Sequence, residues 1–249
     1  MTLRLLAPLA SAGLVLSACS GHDCCGLVDS ACTTDSAAAT EAPAADLAPP
    51  AAEPASDLKL QAKLAAISGL QFRDGLVVVD PTRASSIVAG HDAAAAEAAY
   101  TEGQVLLAQN ELLGAIRAHA KAVMLAPERG ALYLGLGQAL VTQKGWEDKA
   151  AAAYRTGIEH APDSVELWYH FGDALWRTGD IEASVAAWHR TAELAPNSSA
   201  ALERLANVAF LQGRDAQAWD LIQRAEARGG SVPTQMRQML SARSPEPAK

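Results

Sequence analysis

The chain has 249 residues, half of them apolar and only 5 % aromatic, and its formal net charge is −8. Much of the apolar fraction is alanine, which has the highest intrinsic helix propensity, so the composition favours helices. Nucleic-acid binding requires a basic surface, and the acidic balance therefore argues against nucleic acid as a partner. The same acidity argues against adsorption to anionic lipid by charge alone.

The first residues have the pattern of an export signal. Arg4 supplies a positive charge, and the apolar stretch from Leu5 to Leu16 is shorter than the ~20 residues that a membrane-spanning helix needs. Residues 1–18 are therefore predicted to be a signal peptide. The tetrapeptide Leu16-Ser17-Ala18-Cys19 that closes this segment resembles the lipobox of bacterial lipoproteins.

The lipobox resemblance implies cleavage before Cys19, diacylation of its thiol and acylation of the new amino terminus. Several acyl chains anchor a protein stably, whereas one chain binds only marginally. The next residue is Ser20 rather than aspartate. In the sorting pattern of bacterial lipoproteins this implies the periplasmic face of the outer membrane. The alternative is an ordinary secretory signal cut after Ala18, with Cys19 unmodified.

Residues 19–56 are predicted to form a disordered tether, because their Ala, Pro, Ser, Thr and acidic residues bury too little apolar surface to offset the ordering entropy. Three further cysteines lie near one histidine here: His22, Cys24, Cys25 and Cys32. In an oxidising compartment they leave three alternatives: one disulfide to Cys32 with a free thiol, an unpaired or intermolecular arrangement, or a metal site. The adjacent cysteines lack the usual CxxC spacing of a zinc site, and no cofactor is predicted.

Residues 57–92 are predicted to cap the first repeat. Leu58, Leu60, Leu64 and Ile67 follow a helical spacing, and the run Leu76-Val77-Val78-Val79 predicts one short strand or an extended segment.

The central signal is an internal period. Pro127, Pro162 and Pro196 lie 35 and 34 residues apart, and each ends a similar phrase, such as Thr191-Ala-Glu-Leu-Ala-Pro196. Proline stops a helix because it lacks an amide donor and clashes with the preceding turn. A period of this length predicts stacked supersecondary units rather than a single bundle.

One period shows the unit most clearly. Trp168, Phe171, Gly172 and Leu175 precede Gly179-Asp180, and Ser184, Trp188 and Pro196 follow. This is two helices joined by a Gly-Asp turn, with small residues where the helices approach closely. The pattern resembles the tetratricopeptide repeat. Ala99 and His119 stand where that repeat usually has aromatic residues, and the turn at Lys144-Gly145-Trp146 holds one extra residue.

The resemblance implies an all-α solenoid over residues 93–243, following the lipidated tether and followed by a short tail, 244–249. Its parts are predicted as repeats at about 96–129, 130–164, 165–198 and 199–231, with a capping helix at 232–242.

Tetratricopeptide repeats bind proteins on first-helix residues other than the packing positions. The predicted groove residues are Tyr100, Gln104, Leu107, Gln138, Tyr169, Asp173, Trp176, Arg177, Asn207 and Phe210, together with Glu97, Leu134, Val141, Glu166, His170, Glu203 and Arg204. The alternative for Tyr169, Trp176 and Phe210 is packing against neighbouring repeats or the cap. Tyr100 and Gln104 stand where some family members carry Lys and Asn to clamp a C-terminal carboxylate, so a clamp of that kind is disfavoured.

No catalytic motif is present in the sequence: HExxH, GxSxG, GxxxxGK[ST] and a GxGxxG after a strand are all absent. The resemblance to tetratricopeptide repeats and to bacterial lipoproteins implies a non-enzymatic protein-binding scaffold in an envelope assembly, such as a pilus or secretion system or the outer-membrane machinery. Two alternatives are a metal or redox accessory protein that uses His22, Cys24, Cys25 and Cys32, and a structural envelope component without a dedicated ligand.

Overall fold

The computed structural model describes residues 62–66, 68–79 and 93–247. The predicted signal peptide, Cys19, the tether and its His22, Cys24, Cys25 and Cys32 cluster all lie outside the described residues.

The described residues from Ala93 onward form helices that pair into four helix-turn-helix repeats, followed by one more helix. In chain order the helices are α1 (Ala93–Ala108), α2 (Leu112–Leu125), α3 (Gly130–Val141), α4 (Glu147–His160), α5 (Val165–Thr178), α6 (Ile181–Leu194), α7 (Ala200–Leu211), α8 (Asp215–Glu226) and α9 (Thr234–Arg243). This confirms the predicted solenoid of four repeats with a C-terminal helix. The first helix begins at Ala93, three residues before the predicted start of the first repeat.

The proline period marks the helix ends. Helices α2, α4 and α6 each end two residues before Pro127, Pro162 and Pro196 respectively, and α8 ends two residues before Arg228. The Arg228 Nε donates to the Pro196 carbonyl oxygen at 2.6 Å. This bond joins the end of repeat four to the loop that precedes it.

Within a repeat, a glycine of the first helix lies beside a ring of the second. A Cβ added to Gly137 would lie 2.4 Å from Tyr154, one added to Gly172 would lie 2.6 Å from Trp188, and one added to Gly103 would lie 2.7 Å from His119. These distances leave no room for a methyl group. The period therefore has glycine at these three positions because the paired helix packs a ring against each of them.

The turns within repeats differ in length as the sequence indicated. Gly179 has a left-handed backbone (φ +88°) and is followed by Asp180, whose carboxylate caps α6 by accepting from Ala183 N at 3.1 Å. In repeat two the corresponding left-handed residue is Gly145, one position later in the repeat. Glycine adopts this conformation without the steric cost of a Cβ.

A two-stranded hairpin precedes the solenoid. Strand β1 (Gln71–Arg73) pairs antiparallel with β2 (Leu76–Val78) through Asp74 and Gly75, both of which have positive φ. The sequence predicted only the second strand, because Gln71-Phe72-Arg73 is too short and mixed to stand out. The Asp-Gly pair between the strands is a typical hairpin signal.

The hairpin lies against repeat two. Val77 N donates to Thr156 Oγ1 on α4 at 2.8 Å, and Gly69, just before β1, lies next to Met124 on α2. Leu64, Leu70 and Phe72 are buried in the same apolar cluster as α2 to α4. The described part of 57–92 thus packs on the second helices of repeats one and two.

Among the described residues, no helix combines the length and the apolar character needed to cross a bilayer.

Candidate binding groove

The first helices of successive repeats lie side by side. Helix α3 contacts both α1 and α5, and α5 is joined to α7 by side chains described below. We call the surface formed by α1, α3, α5 and α7 the groove. Two cavities, of about 270 and 600 Å³, open on its C-terminal half.

Four polar side chains occupy the same position of the four first helices. Gln104, Gln138, Asp173 and Asn207 are spaced by 34, 35 and 34 residues and are all half-buried. The side chains of Gln104, Gln138 and Asn207 hydrogen-bond to no described residue. Amide side chains both donate and accept hydrogen bonds, as a peptide backbone does. The groove therefore offers unused hydrogen-bonding groups at repeat intervals.

The fourth member of this row, Asp173, is engaged in an ion pair between repeats. Its two carboxylate oxygens accept from the Arg204 Nε and Nη2, both at 2.9 Å. The Arg204 guanidinium also lies over the Tyr169 ring, 5.7 Å from its centroid. Bidentate geometry of this kind fixes both side chains and ties α5 to α7.

The ion pair also affects the pKa values of Arg204 and Tyr169. Partial burial lowers the pKa of Arg204, but the Asp173 carboxylate and the hydrogen bonds to Asp173 and Tyr169 outweigh it, so the pKa is raised above its usual value. Burial, assisted by Asp173, raises the pKa of Tyr169. Arg204 is therefore charged and Tyr169 neutral at physiological pH.

The smaller cavity lies between repeats two, three and four, and its wall combines aromatic rings with charged and amide side chains. The residues that line it are Val141, Tyr154, His170, Asp173, Trp176, Arg177, Trp188, Arg204 and Asn207. The Tyr154 and His170 rings stack at 5.8 Å, and the Trp176 and Trp188 rings lie 5.9 Å apart. The Trp188 indole N–H is buried and hydrogen-bonds to no described atom.

Burial lowers the pKa of His170, although Asp173 and Glu166 oppose the shift. His170 is thus neutral at pH 7 and contributes a ring with one donor and one acceptor rather than a charge.

The larger cavity continues the groove towards the C-terminal helix. It shares Arg204 and Asn207 with the smaller one, and its other residues are Tyr169, Ala200, Glu203, Ser231, Val232, Pro233, Thr234 and Met236. Glu203 accepts a hydrogen bond from Ser231 N at 3.1 Å, so its carboxylate holds the loop before α9.

Most of the predicted groove residues lie on this surface. Tyr100, Leu107, Tyr169 and Trp176 are half-buried, and Arg177 is exposed. Tyr100 rests edge-on against His119, with ring centroids 5.2 Å apart.

Phe210 is the exception among the predicted groove residues. It is only 8 % exposed, and Arg243 of α9 lies 4.6 Å from its ring centroid. The Arg243 Nη2 also donates to the Phe210 carbonyl oxygen at 2.9 Å. The C-terminal helix thus covers this side chain, and Phe210 packs against the cap instead of presenting its ring in the groove.

Two second-helix rings line the smaller cavity although both are almost fully buried. Tyr154 and Trp188 lie next to Gly137 and Gly172, which have no side chains to screen the rings from the cavity. The glycine positions were visible in the sequence. In the sequence they indicate close helix packing and do not predict a cavity.

No cluster of three or more histidine, cysteine, aspartate or glutamate side chains suited to a metal ion occurs in the described part of the chain.

The comparisons with known proteins agree with this geometry. A tetratricopeptide-repeat family model matches residues 148–198 and 169–233. No curated protein matches the chain.

Solved structures with a similar fold include three MamA chains. One is described as the crystal structure of MamA protein, with 20 % identity, a TM-score of 0.50 and coverage of 54 % of this chain and 73 % of that one. A second MamA structure gives 18 % identity, a TM-score of 0.51 and coverage of 54 % and 78 %. A MamA RS-1 double mutant gives 17 % identity, a TM-score of 0.50 and coverage of 56 % and 78 %. At this identity the likeness concerns the fold alone. The period, the helix pairs and the family match over residues 148–233 together show that the chain contains tetratricopeptide repeats.

Proposed function

We propose that the protein is a non-catalytic scaffold that binds an extended segment of a partner protein along the groove. The observation that carries the proposal is the row of Gln104, Gln138 and Asn207, half-buried and without described hydrogen-bond partners. Amide side chains donate and accept, so a main chain bound along the groove would exchange water for hydrogen bonds to these residues at successive repeats. Tetratricopeptide-repeat proteins generally act as scaffolds of this kind.

We further propose that lipid on Cys19 holds this scaffold at the periplasmic face of the outer membrane, where it supports an envelope assembly such as a pilus, a secretion system or the outer-membrane machinery. The support is the lipobox-like Leu16-Ser17-Ala18-Cys19 and the Ser20 that follows. A Cys19→Ala variant should leave the membrane fraction, and unchanged fractionation would remove the anchor from the proposal.

The groove is tested by capture from cross-linked membranes. The variant Gln138→Ala, Asn207→Ala removes two amides from the row, while Gln217→Ala, Gln235→Ala removes two exposed amides from α8 and α9. Both pairs should fold like the wild type by circular dichroism.

We expect the groove variant to lose the partners that the wild type and the control variant capture. Capture of the same partners by all three proteins would show that the groove is not the binding surface. A second groove variant, Tyr169→Ala with Trp176→Ala, extends the test to the aromatic side chains at the two cavities.

A further inference from the structure

We propose that repeats one and two bind an uncharged stretch of the partner segment, with apolar side chains on both sides of its main chain. This inference rests on the proposed function and adds the chemistry of the stretch that crosses these two repeats. The surface concerned, which we call the neutral strip, is formed by the groove side chains of α1 and α3: Tyr100, Gln104, Leu107, Leu134, Gln138 and Val141.

The strip has the same layout in both repeats. Its two amides, Gln104 and Gln138, lie 34 residues apart at equivalent positions of the two first helices. An apolar residue precedes each amide by four positions and another follows it by three, and this spacing places the three side chains on one helix face. All six side chains are half-buried, and the four apolar ones pack against the core beneath them. Each repeat thus presents one amide between two apolar side chains.

The strip carries no charge. Helix α3 contains no charged residue, and α1 contains two, Glu97 and Glu102. Glu97 forms an ion pair with Arg129 at 3.0 Å, so its charge is neutralised. Glu102 is two residues from Gln104 and therefore lies about 160° away around the helix axis. The groove surface of repeats one and two is consequently neutral.

The groove surface of repeats three and four is different. Asp173 stands at the position of the two amides, and Glu203 stands at the position of the first apolar residue, followed by Arg204. The Asp173 carboxylate accepts both hydrogen bonds from Arg204. One segment that crosses all four repeats would therefore meet a neutral surface on one half and a charged surface on the other.

The neutral half disfavours a charged side chain. Such a side chain would lose part of its hydration there and would find no opposite charge, whereas apolar surface gains free energy when it leaves water. The main chain of the segment has a different need, because each residue brings one donor and one acceptor, and the amides of Gln104 and Gln138 supply both. An uncharged stretch with apolar side chains satisfies both parts of the strip.

The length of this stretch follows from the repeat spacing. Packed helices lie ~8–10 Å apart and an extended chain rises ~3.3 Å per residue, so about three residues span one repeat and about six span the strip. Side chains of an extended segment alternate in direction, and the strip has apolar residues on both sides of its amides. Val141 also lines the smaller cavity, so the strip continues into the charged half of the groove.

The test uses the full chain and a displayed library of random twelve-residue segments, fused at both ends. The variants Gln138→Lys and Gln138→Glu place opposite charges at one position of the strip, where the wild-type side chain bonds to no described residue. The matched controls are Gln217→Lys and Gln217→Glu, which place the same charges at an exposed position of α8. Circular dichroism checks that all variants are folded.

We expect the wild type and both Gln217 controls to select segments with a run of about six uncharged residues. Gln138→Lys should select Asp or Glu within this run, and Gln138→Glu should select Lys or Arg, because hydrogen bonds between opposite charges are the stronger class. In a selected peptide, one Asp at the centre of the run should weaken binding to the wild type by about tenfold or more, and to Gln138→Lys by less than about threefold. A general loss of stability does not produce opposite preferences.

The outcomes separate the two proposals. Segments with charges throughout, or identical preferences for Gln138→Lys and Gln138→Glu, overturn the neutral strip. If Tyr169→Ala with Trp176→Ala then abolishes binding, the groove is still the binding surface. Failure to select any segment overturns both proposals. A second copy of the chain is the other occupant to test, and a wild-type dimer in sedimentation that Gln138→Lys dissociates would put that copy in place of the partner segment.

Discussion

Repeats one and three have the same architecture but different chemistry at equivalent positions. In repeat three Trp188 lies beside Gly172, and in repeat one His119 lies beside Gly103 at nearly the same distance. The turns also correspond, since Asn110 and Gly179 both have positive φ, at 62° and 88°. Repeats one and three thus share a ring packed on a glycine and a left-handed turn residue, although different residue types supply them.

The histidine changes the energetics of repeat one. His119 is fully buried between Gly103 and Gly135, and neither of its ring nitrogens has a described hydrogen-bond partner. Burial lowers the pKa of His119 to about 4. Repeat three has no comparable titratable group in its core, although the Trp188 indole N–H also lacks a partner. The comparison therefore predicts that the two ring positions differ in what they contribute to stability.

The largest expected effect comes from removing the two rings. At pH 7.5, Trp188→Ala should lower the free energy of unfolding by ~3–5 kcal/mol, as buried aromatic residues do. His119→Ala should lower the free energy of unfolding by only ~1–2 kcal/mol. The substitution creates a cavity, but it also removes two unpaired buried nitrogens, and burying an unpaired polar group costs ~1–3 kcal/mol. Urea denaturation followed by circular dichroism measures both. Equal losses would mean that ring volume alone sets the stability of a repeat.

The second effect is a dependence on pH. The pKa of His119 is about 4 in the fold and 6.5 in the reference state, so the unfolded chain binds the proton more readily. The contribution of neutral His119 is fully present above pH 6.5 and is lost as the pH falls towards 4. A shift of this size corresponds to ~3 kcal/mol, since one pKa unit is about 1.4 kcal/mol.

His119→Phe tests this dependence because it keeps a ring and removes the titration. Between pH 6.5 and 4, the free energy of unfolding of the wild type should fall by ~3 kcal/mol more than that of His119→Phe. Trp188→Phe is the control and should keep the wild-type pH dependence. A His119→Phe profile parallel to that of the wild type would show that another group carries the acid sensitivity.

The same comparison shows which parts of the fold the sequence could predict. The proline period and the glycine positions gave all four repeats, including the first, which lies outside the family match that begins at residue 148. They succeeded because helix ends and close helix packing are local requirements that recur in each repeat. The Asp74-Gly75 turn was a local signal as well, but β1 was too short for its residues to reveal a strand.

The sequence pattern could not predict contacts between segments that are distant along the chain. The Asp173–Arg204 ion pair joins residues 31 apart on two helices, and Arg243 covers Phe210 from 33 residues away. The hairpin reaches Thr156 across 79 residues. Each contact depends on how elements pack, and a periodic pattern specifies which face a residue occupies without specifying which side chain meets it. The groove was therefore predicted as a surface, whereas its cavities and covered positions required the structure.

The smallest expected effect concerns the caps of the second helices. Asp180 in repeat three caps α6 through the bond to Ala183 N at 3.1 Å, whereas Glu111, at the equivalent position before α2, makes no side-chain cap bond. Asp180→Ala should lower the free energy of unfolding by ~1 kcal/mol, the usual loss for an N-cap aspartate. Glu111→Ala should change it by less than ~0.5 kcal/mol, as surface substitutions commonly do. Chemical denaturation at pH 7.5 measures both variants.

Introducing the missing cap with Glu111→Asp should stabilise repeat one by up to ~1 kcal/mol. The reason is that Asn110 before α2 and Gly179 before α6 both have positive φ, so the residue that follows each can cap its helix in the same way. A destabilised Glu111→Asp variant would show that the two turns, alike in backbone φ, direct the capping side chain differently.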